Sequence, residues 1–230
     1  MTEATTEVNE REFSFSDRDF RFLAELINES TGIVLADQKK DMVYSRLARR
    51  LRALKLTDFG EYCEHLQGAD GADEIGNLVN AITTNLTHFF RENHHFEHLR
   101  DTVLPSLTAN SPKPRRLRIW SAGCSSGMEP YSIAMTVKGS IRDLASWDAR
   151  ILATDIDTNM LKCGSAGDYG IEQWEKIPPA YRGDVLKLPK QDGIRMSDDL
   201  KQLIAFRHLN LLESWPMKGL FDVIFCRNVV

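Results

Sequence analysis

The chain has 230 residues, 42% of them hydrophobic and 27% charged, a composition too apolar for intrinsic disorder and a length suited to one domain or two small ones. With 29 Lys and Arg against 33 Asp and Glu the net charge is −4, so no global basic signature points to nucleic acid. No apolar run approaches the roughly 20 residues that span a bilayer, and the acidic start is the reverse of a secretory leader, so a soluble, cytoplasmic chain that is not membrane-inserted is expected.

Residues 1–12 are polar, hold four Glu, and are predicted to form a disordered tail before a helical domain over 13–84. Ser16 and Asp19 are spaced as a capping box, and Phe20, Leu23 and Ile27 then recur at helical intervals until Gly32 ends the helix. A second helix is predicted from near Asp37, burying Val43, Leu47, Leu51 and Leu54. Thr57 is placed to cap a third helix carrying Phe59, Tyr62, Cys63 and Leu66, and Ile75, Leu78, Val79 and Ile82 mark a fourth. Every segment from Phe15 to about Leu86 reads as helix. The second helix is also basic: between Lys39 and Lys55 seven Lys and Arg face one acid, Asp41. Arg46, Arg49 and Arg52 lie opposite its apolar stripe and, with Arg50, form a candidate docking surface for an acidic partner. A merely solvated face is the plainer account of such a run, and RNA is disfavoured because no exposed aromatics are interleaved.

After Ser111-Pro112-Lys113-Pro114 the pattern changes. Leu117–Ala122 reads as a strand, 129–138 as helix, Arg150–Asp155 as strand, 158–166 as helix, and Phe206–Leu211 and Phe221–Cys226 as two further strands. Strand alternating with helix implies a parallel sheet covered on both faces. The stretch from about 170 to 206, with Pro178-Pro179, Gly183, Pro189 and Gly193, breaks this rhythm and is predicted to be an inserted lobe with an antiparallel hairpin turning at Lys190–Gly193. A sheet ending at Val230 on an apolar end strand is poorly protected against edge pairing, so further C-terminal strands are expected beyond the sequence given. Cys63, Cys124, Cys163 and Cys226 lie far apart with no C-x-x-C pair, which points to neither disulfides nor a zinc knuckle.

The segment Ile119–Ser132 carries the most chemistry. A strand enters a turn with Gly123 and Gly127 and a helix leaves it, the general geometry of nucleotide binding at a strand's carboxyl end. The string is not G-x-G-x-x-G, and Glu129 at the mouth would repel phosphate while suiting a cationic amine. The same residues match G-x-S-x-G, which would make Ser125 a nucleophile with His208 as its base, although the helical segment before it does not suit such hydrolases. A tight turn with no ligand is the third reading. The second strand ends in Thr154-Asp155-Ile156-Asp157, where a carboxylate can accept ribose hydroxyls, while Asp157 or Thr158 suits a helix cap. Glycine turn and acidic strand end together indicate a nucleoside without a phosphate-binding lysine, a description S-adenosylmethionine fits. His94 to His98 matches H-x-x-E-H, a zinc-peptidase signature, but no third ligand is identifiable, and an amphipathic helix burying Phe89, Phe96 and Leu99 accounts for the same residues. No metal is expected.

Five stretches together resemble the CheR family, the chemotaxis receptor methyltransferases that esterify protein glutamates from S-adenosylmethionine. They are Thr84–Glu92, Trp120–Ser132, Thr154–Asp157, Asn210–Leu212 and Phe221–Val229, in family order and spread over most of the chain. The resemblance implies an α/β, doubly wound, Rossmann-like class I methyltransferase sheet over 85–230 with a small inserted β-subdomain, behind an N-terminal helical domain. It implies that Asn85, Thr87, Arg91, Gly123, Glu129, Asp155, Asn210, Leu211, Arg227 and Asn228 bind the cofactor. Within that set Arg91 is catalytic, meeting the cofactor's or the substrate's carboxylate; Asp155 holds the ribose, and Asn210 with Leu211 the adenine edge. It further implies S-adenosylhomocysteine as product, the cytoplasmic methylation helices of chemoreceptors as partners docked on Arg46, Arg49, Arg50 and Arg52, a monomer, and room for a regulator. Met128 stands where many members have a second acid. Because the 190–193 loop is short, the lobe is not expected to tether a receptor's carboxyl-terminal peptide. A non-catalytic module binding S-adenosyl nucleosides is the alternative of a different class.

Overall fold

The computed structural model describes residues 11–69, 71–109, 115–188, 190 and 192–229. The chain divides after Thr83 into two compact units. The described residues of the first form four helices, α1 (Asp17–Thr31), α2 (Lys40–Leu54), α3 (Phe59–Gln67) and α4 (Gly71–Ile82), with a 3-10 turn at Asp37–Lys39 leading into α2. The capping box forms: Asp19 N–H donates to Ser16 Oγ at 3.2 Å and Ser16 N–H to the Asp19 carboxylate at 2.9 Å. Gly32, at φ 75°, closes α1 in the left-handed region where glycine is at ease. Apolar residues three and four apart on each helix, among them Leu23, Ile27, Val43, Leu47, Leu51, Phe59, Tyr62 and Leu78, meet in one buried core.

Three local expectations shift. Asp58, not Thr57, caps α3, accepting the Glu61 N–H at 2.9 Å, while Thr57 N–H turns to the Glu61 carboxylate. The last helix ends at Ile82 rather than near Leu86, where two β-branched threonines and Asn85 follow and Leu86 stands exposed. Of the expected tail, Arg11 and Glu12 are engaged, Arg11 with Asp41 and Glu12 with Arg52; residues 1–10 lie outside the described residues.

The second unit begins with α5 (His94–His98), which passes through a π-turn at Leu99–Val103 into α6 (Leu104–Ala109). There follow β1 (Arg116–Ala122), α7 (Met128–Ser140), β2 (Asp148–Asp155), α8 (Thr158–Ala166), β3 (Asp168–Gly170), β4 (Val185–Leu188), β5 (Gly193–Met196), α9 (Asp198–Leu203), β6 (Ile204–His208) and β7 (Val223–Cys226). The main sheet is parallel in the order β6-β2-β1-β7, so the connection reverses direction across β1, and the carboxyl ends of β1, β2 and β7 gather at the switch point where doubly wound sheets bind ligands. Side chains alternate between faces: Leu117, Ile119, Ala149, Ile151 and Phe225 pack with α7, whereas Trp120, Ala122 and Leu152 pack with Leu209, Leu211, Met217 and Phe221. The indole of Trp120 donates to Thr154 Oγ1 at 2.9 Å, which satisfies its buried N–H. β6 starts at Ile204 and stops at His208, earlier than the apolar run suggested: Leu209 N–H makes the last ladder bond, to the Asp155 carbonyl where β2 ends, and the chain then turns at Asn210.

Between α8 and α9 the chain forms a separate antiparallel sheet, β3-β5-β4. Leu188 pairs with Gly193 across the hairpin, whose residues 189 and 191 lie outside the described residues, as do 110–114. Lys138 at the end of α7 ties this sheet down, with Nζ 2.6 Å from Asp184 and 2.9 Å from Asp199. Among the described residues no helix is long and apolar enough to cross a membrane.

Candidate active site

The turn after β1 is fastened to the end of β2. Gly123 N–H and Cys124 N–H both donate to the Thr154 carbonyl at 2.8 Å, and Ser125 N–H donates to Asp155 Oδ2 at 2.7 Å. Gly123, Ser125 and Gly127 have φ of 72°, 49° and 88°. A Cβ on Gly127 would lie 2.7 Å from Gly164 Cα, so this glycine lets α8 approach the turn. Tyr169 of β3 closes the same turn, its hydroxyl donating to the Ser126 carbonyl at 2.8 Å.

Asp155 is 9% exposed. Its second oxygen accepts Asp157 N–H at 2.9 Å; burial pushes its carboxyl above the usual range, opposed by the backbone N–H groups of Asp157 and Ser125. Asp157 caps α8 through the Asn159 and Met160 amides, and Asn85 Nδ2 donates to its other oxygen at 2.8 Å. Asn85 Oδ1 in turn accepts Ser125 Oγ at 3.3 Å. Ser125 thus points its hydroxyl at an amide rather than a histidine, which removes the basis for a nucleophile elbow. Asn210, nearly buried just past β6, accepts Leu212 N–H at 3.0 Å in an Asx turn that holds Leu211 half-buried.

On the α7 side of the sheet a second network forms. Glu129 accepts Ser121 Oγ at 2.8 Å and Arg227 Nη1 at 3.0 Å. Burial raises its carboxyl above the usual range, against the pull of Ser121 and Arg227. Arg227, with 11% side-chain exposure, also donates through Nη2 to the Arg91 carbonyl at 2.6 Å and to Glu92 at 3.1 Å. Its Nε is buried and, among the described residues, has no partner. A buried guanidinium with one idle donor calls for an acceptor, and a carboxylate meets that need. Together with Asp155 at the end of β2, on the other side of β1, the residues present fit a nucleoside that carries an amino acid. Arg91 bonds its own turn through Nη1 to the Leu86 carbonyl at 2.6 Å; Thr87 is half-buried, and Asn228, at φ 55°, is exposed at the end of β7.

Sequence reasoning passed over Ser121, Glu92, Ser132 and Tyr169. Ser121 carried a signal, since it shares β1's face with Leu117 and Ile119, where a hydroxyl needs a buried partner. Nothing in the pattern links Glu92 to Arg227 across 135 positions.

The four docking arginines do not form a common free surface. Arg50 grips Glu74 through Nε at 2.9 Å and Nη2 at 2.5 Å, Arg46 donates to the Ile82 and Thr83 carbonyls at the end of α4, and Arg52 pairs with Glu12. Arg49 is exposed, and its side chain has no bond to a described residue. In α5, His94 and His98 are exposed, and Phe96 and Leu99 are buried. Among the described residues no group of three His, Cys, Asp or Glu is placed to hold a metal ion.

Comparison with known proteins agrees with this geometry. The family model described as the CheR methyltransferase SAM binding domain matches residues 85–230, and that of the CheR all-alpha domain matches 18–83. A probable chemotaxis protein methyltransferase of Rhizobium etli is 47% identical over 208 residues, covering 89% of this chain and 78% of that protein. Chemotaxis protein methyltransferase 2 of Pseudomonas aeruginosa is 44% identical, covering 96% and 78%, and the chemotaxis protein methyltransferase of Escherichia coli is 40% identical, covering 100% and 79%. The four-strand parallel sheet, its glycine turn and acidic strand end, and these matches over both units place the chain in the CheR family of S-adenosylmethionine-dependent methyltransferases.

Proposed function

We propose that this chain methylates glutamate side chains of chemoreceptors in the cytoplasm, converting anionic carboxylates into neutral methyl esters and so altering charge repulsion within the receptor's helices. The observation that carries the reading is the pairing of Asp155, fixed by two backbone amides at the end of β2, with Arg227, whose idle buried Nε lies at the end of β7. In this reading Asp155 accepts the ribose hydroxyls, Asn210 and Leu211 frame the adenine, and Gly123 with Asn85 and Thr87 shape the wall. Glu129, Arg227 and Asn228 line the amino-acid end. The cofactor supplies a methyl group already activated on a sulfonium. Because a substrate glutamate with an ordinary pKa near 4.3 is ionised at neutral pH, no general base is required. The side chains therefore have to orient the incoming carboxylate and exclude water, and Arg91 is the residue assigned to meet that carboxylate. Arg49 is the docking residue for an acidic receptor helix, whereas Arg46, Arg50 and Arg52 are engaged within the helical unit. The β3-β5-β4 sheet is the lobe inserted in the methyltransferase domain, and the chain acts as a monomer.

The test is transfer of labelled methyl to cytoplasmic fragments of chemoreceptors, with the product checked for release as methanol in base, as an ester requires. Label that resists base, or no label from a folded chain that binds S-adenosylhomocysteine, would reject glutamate as the acceptor.

A further inference from the structure

Arg91 sits between two residues in the left-handed region, Phe90 at φ 53° and Glu92 at φ 54°. Neither an aromatic nor a glutamate favours that shape, so it must be held from outside. Phe90 N–H donates to the buried Ser132 Oγ at 3.0 Å, and its ring stacks on Tyr181 with centroids 5.1 Å apart. On the other side, Arg227 takes both the Arg91 carbonyl and the Glu92 carboxylate. Glu92 Oε2 also lies 3.2 Å from His95 Nε2, and Oε1 lies 4.0 Å from Arg91 Nε. Backbone strain of this kind persists where the surroundings over-determine it, and it concentrates at functional sites.

We propose that Glu92 is a positioning residue for methyl transfer, which by holding Arg227 and closing the strained turn fixes the direction in which Arg91 presents its guanidinium. The inference rests on the reading of Arg91 as the group that meets a carboxylate. Glu92 itself does not touch a reactant. Two guanidiniums brought to one site repel each other, and a carboxylate between them allows both to stay without splaying the turn. The Ser132 hydroxyl does the corresponding work on the Phe90 side, and it is fixed in turn by donating to the Met128 carbonyl at 2.7 Å.

A double-mutant cycle tests this directly. Glu92→Ala is expected to lower kcat/KM for methyl transfer by about tenfold or more, yet to cost little once Arg91 is already alanine, because it acts through that residue. Glu92→Gln, which keeps an acceptor for Arg227, should recover part of the loss. Full additivity in the cycle would overturn the proposal. Hydrogen exchange of the Phe90 amide in the cofactor-free chain reads the turn without any activity: it should speed up in Glu92→Ala while the amides of α7 beyond Ser132 keep their protection, and unchanged Phe90 exchange would also overturn it. A folded wild-type chain that transfers no methyl would instead count against the proposed function, and the exchange result would still decide whether Glu92 holds the turn.

Discussion

One buried glutamate in the helical unit and one mostly buried glutamate in the second show how differently this chain uses the same side chain. Glu74, 4% exposed in the helical unit, is saturated: Arg50 grips it with two bonds, and Tyr62 Oη and Asn77 Nδ2 each donate at 3.0 Å. Burial works to raise its carboxyl, but those bonds prevail and hold it below the usual range. Glu129, with 14% side-chain exposure in the second unit, receives Ser121 and Arg227 alone among the bonds described, and burial leaves its carboxyl raised. A satisfied buried carboxylate is a strut. One that holds a single bond on each oxygen, beside a guanidinium whose Nε has no acceptor among the described residues, is suited to binding rather than bracing.

The largest expected effect is therefore at the strut. Glu74→Ala strands Tyr62 Oη and the Arg50 fork and should destabilise the helical unit by roughly 2–4 kcal/mol, read from chemical denaturation of helices α1–α4, with the second unit unaffected. A cost near zero would show that water replaces the carboxylate freely. The pH dependence sharpens the contrast. Because the folded pKa of Glu74 is lowered, its stabilisation is present above the ordinary value near 4.5 and is lost as pH falls through its folded pKa, so Glu74→Gln should differ from wild type at pH 7 and converge with it at strongly acid pH. Glu129 has the opposite sign. Its folded pKa is raised, so the wild type is favoured below about 4.5 and pays as pH rises through the folded value. Glu129→Gln should accordingly raise Tm at pH 8 more than at pH 4, while weakening cofactor binding. A variant that loses stability at both pH values would place Glu129 among the struts.

The same distinction sorts the basic residues of α2. Arg49→Ala should leave Tm and S-adenosylhomocysteine affinity unchanged and slow receptor methylation about threefold at low salt, an effect that added salt erases, since an exposed charge acts mainly on encounter. Arg50→Ala should instead lower stability through Glu74. If Arg49→Ala is silent at low salt, docking does not use this helix face.

Much of this architecture was legible in the chain itself. Of the two cap candidates, Asp157 and Thr158, it is Asp157 that caps α8, and the Ser16–Asp19 box and the apolar stripes of α1–α4 follow from short-range rules and are realised as read. So is the strand, glycine turn and helix at 116–140, because its hydrogen bonds close within or next to the motif. What escaped depends on pairing at long range. β6 ends at His208 because its partner β2 ends at Asp155, and β3 is three residues long and exists only because β5 lies beside it. The basic face of α2 was visible as charge, yet the partner that claims Arg50 lies 24 residues on. Charge patterns report where cations are, and only the fold reports which of them are already engaged.

Whether the end of β2 holds the ribose is decided by a calorimetric titration of the chain with S-adenosylhomocysteine, run beside Asp155→Ala. Binding in the micromolar range is expected, weakening at least about tenfold in the variant, with both proteins folded at the temperature of the titration. A folded wild type that does not bind, or an Asp155→Ala variant that binds as well as wild type, would contradict the assignment of this strand end to the ribose.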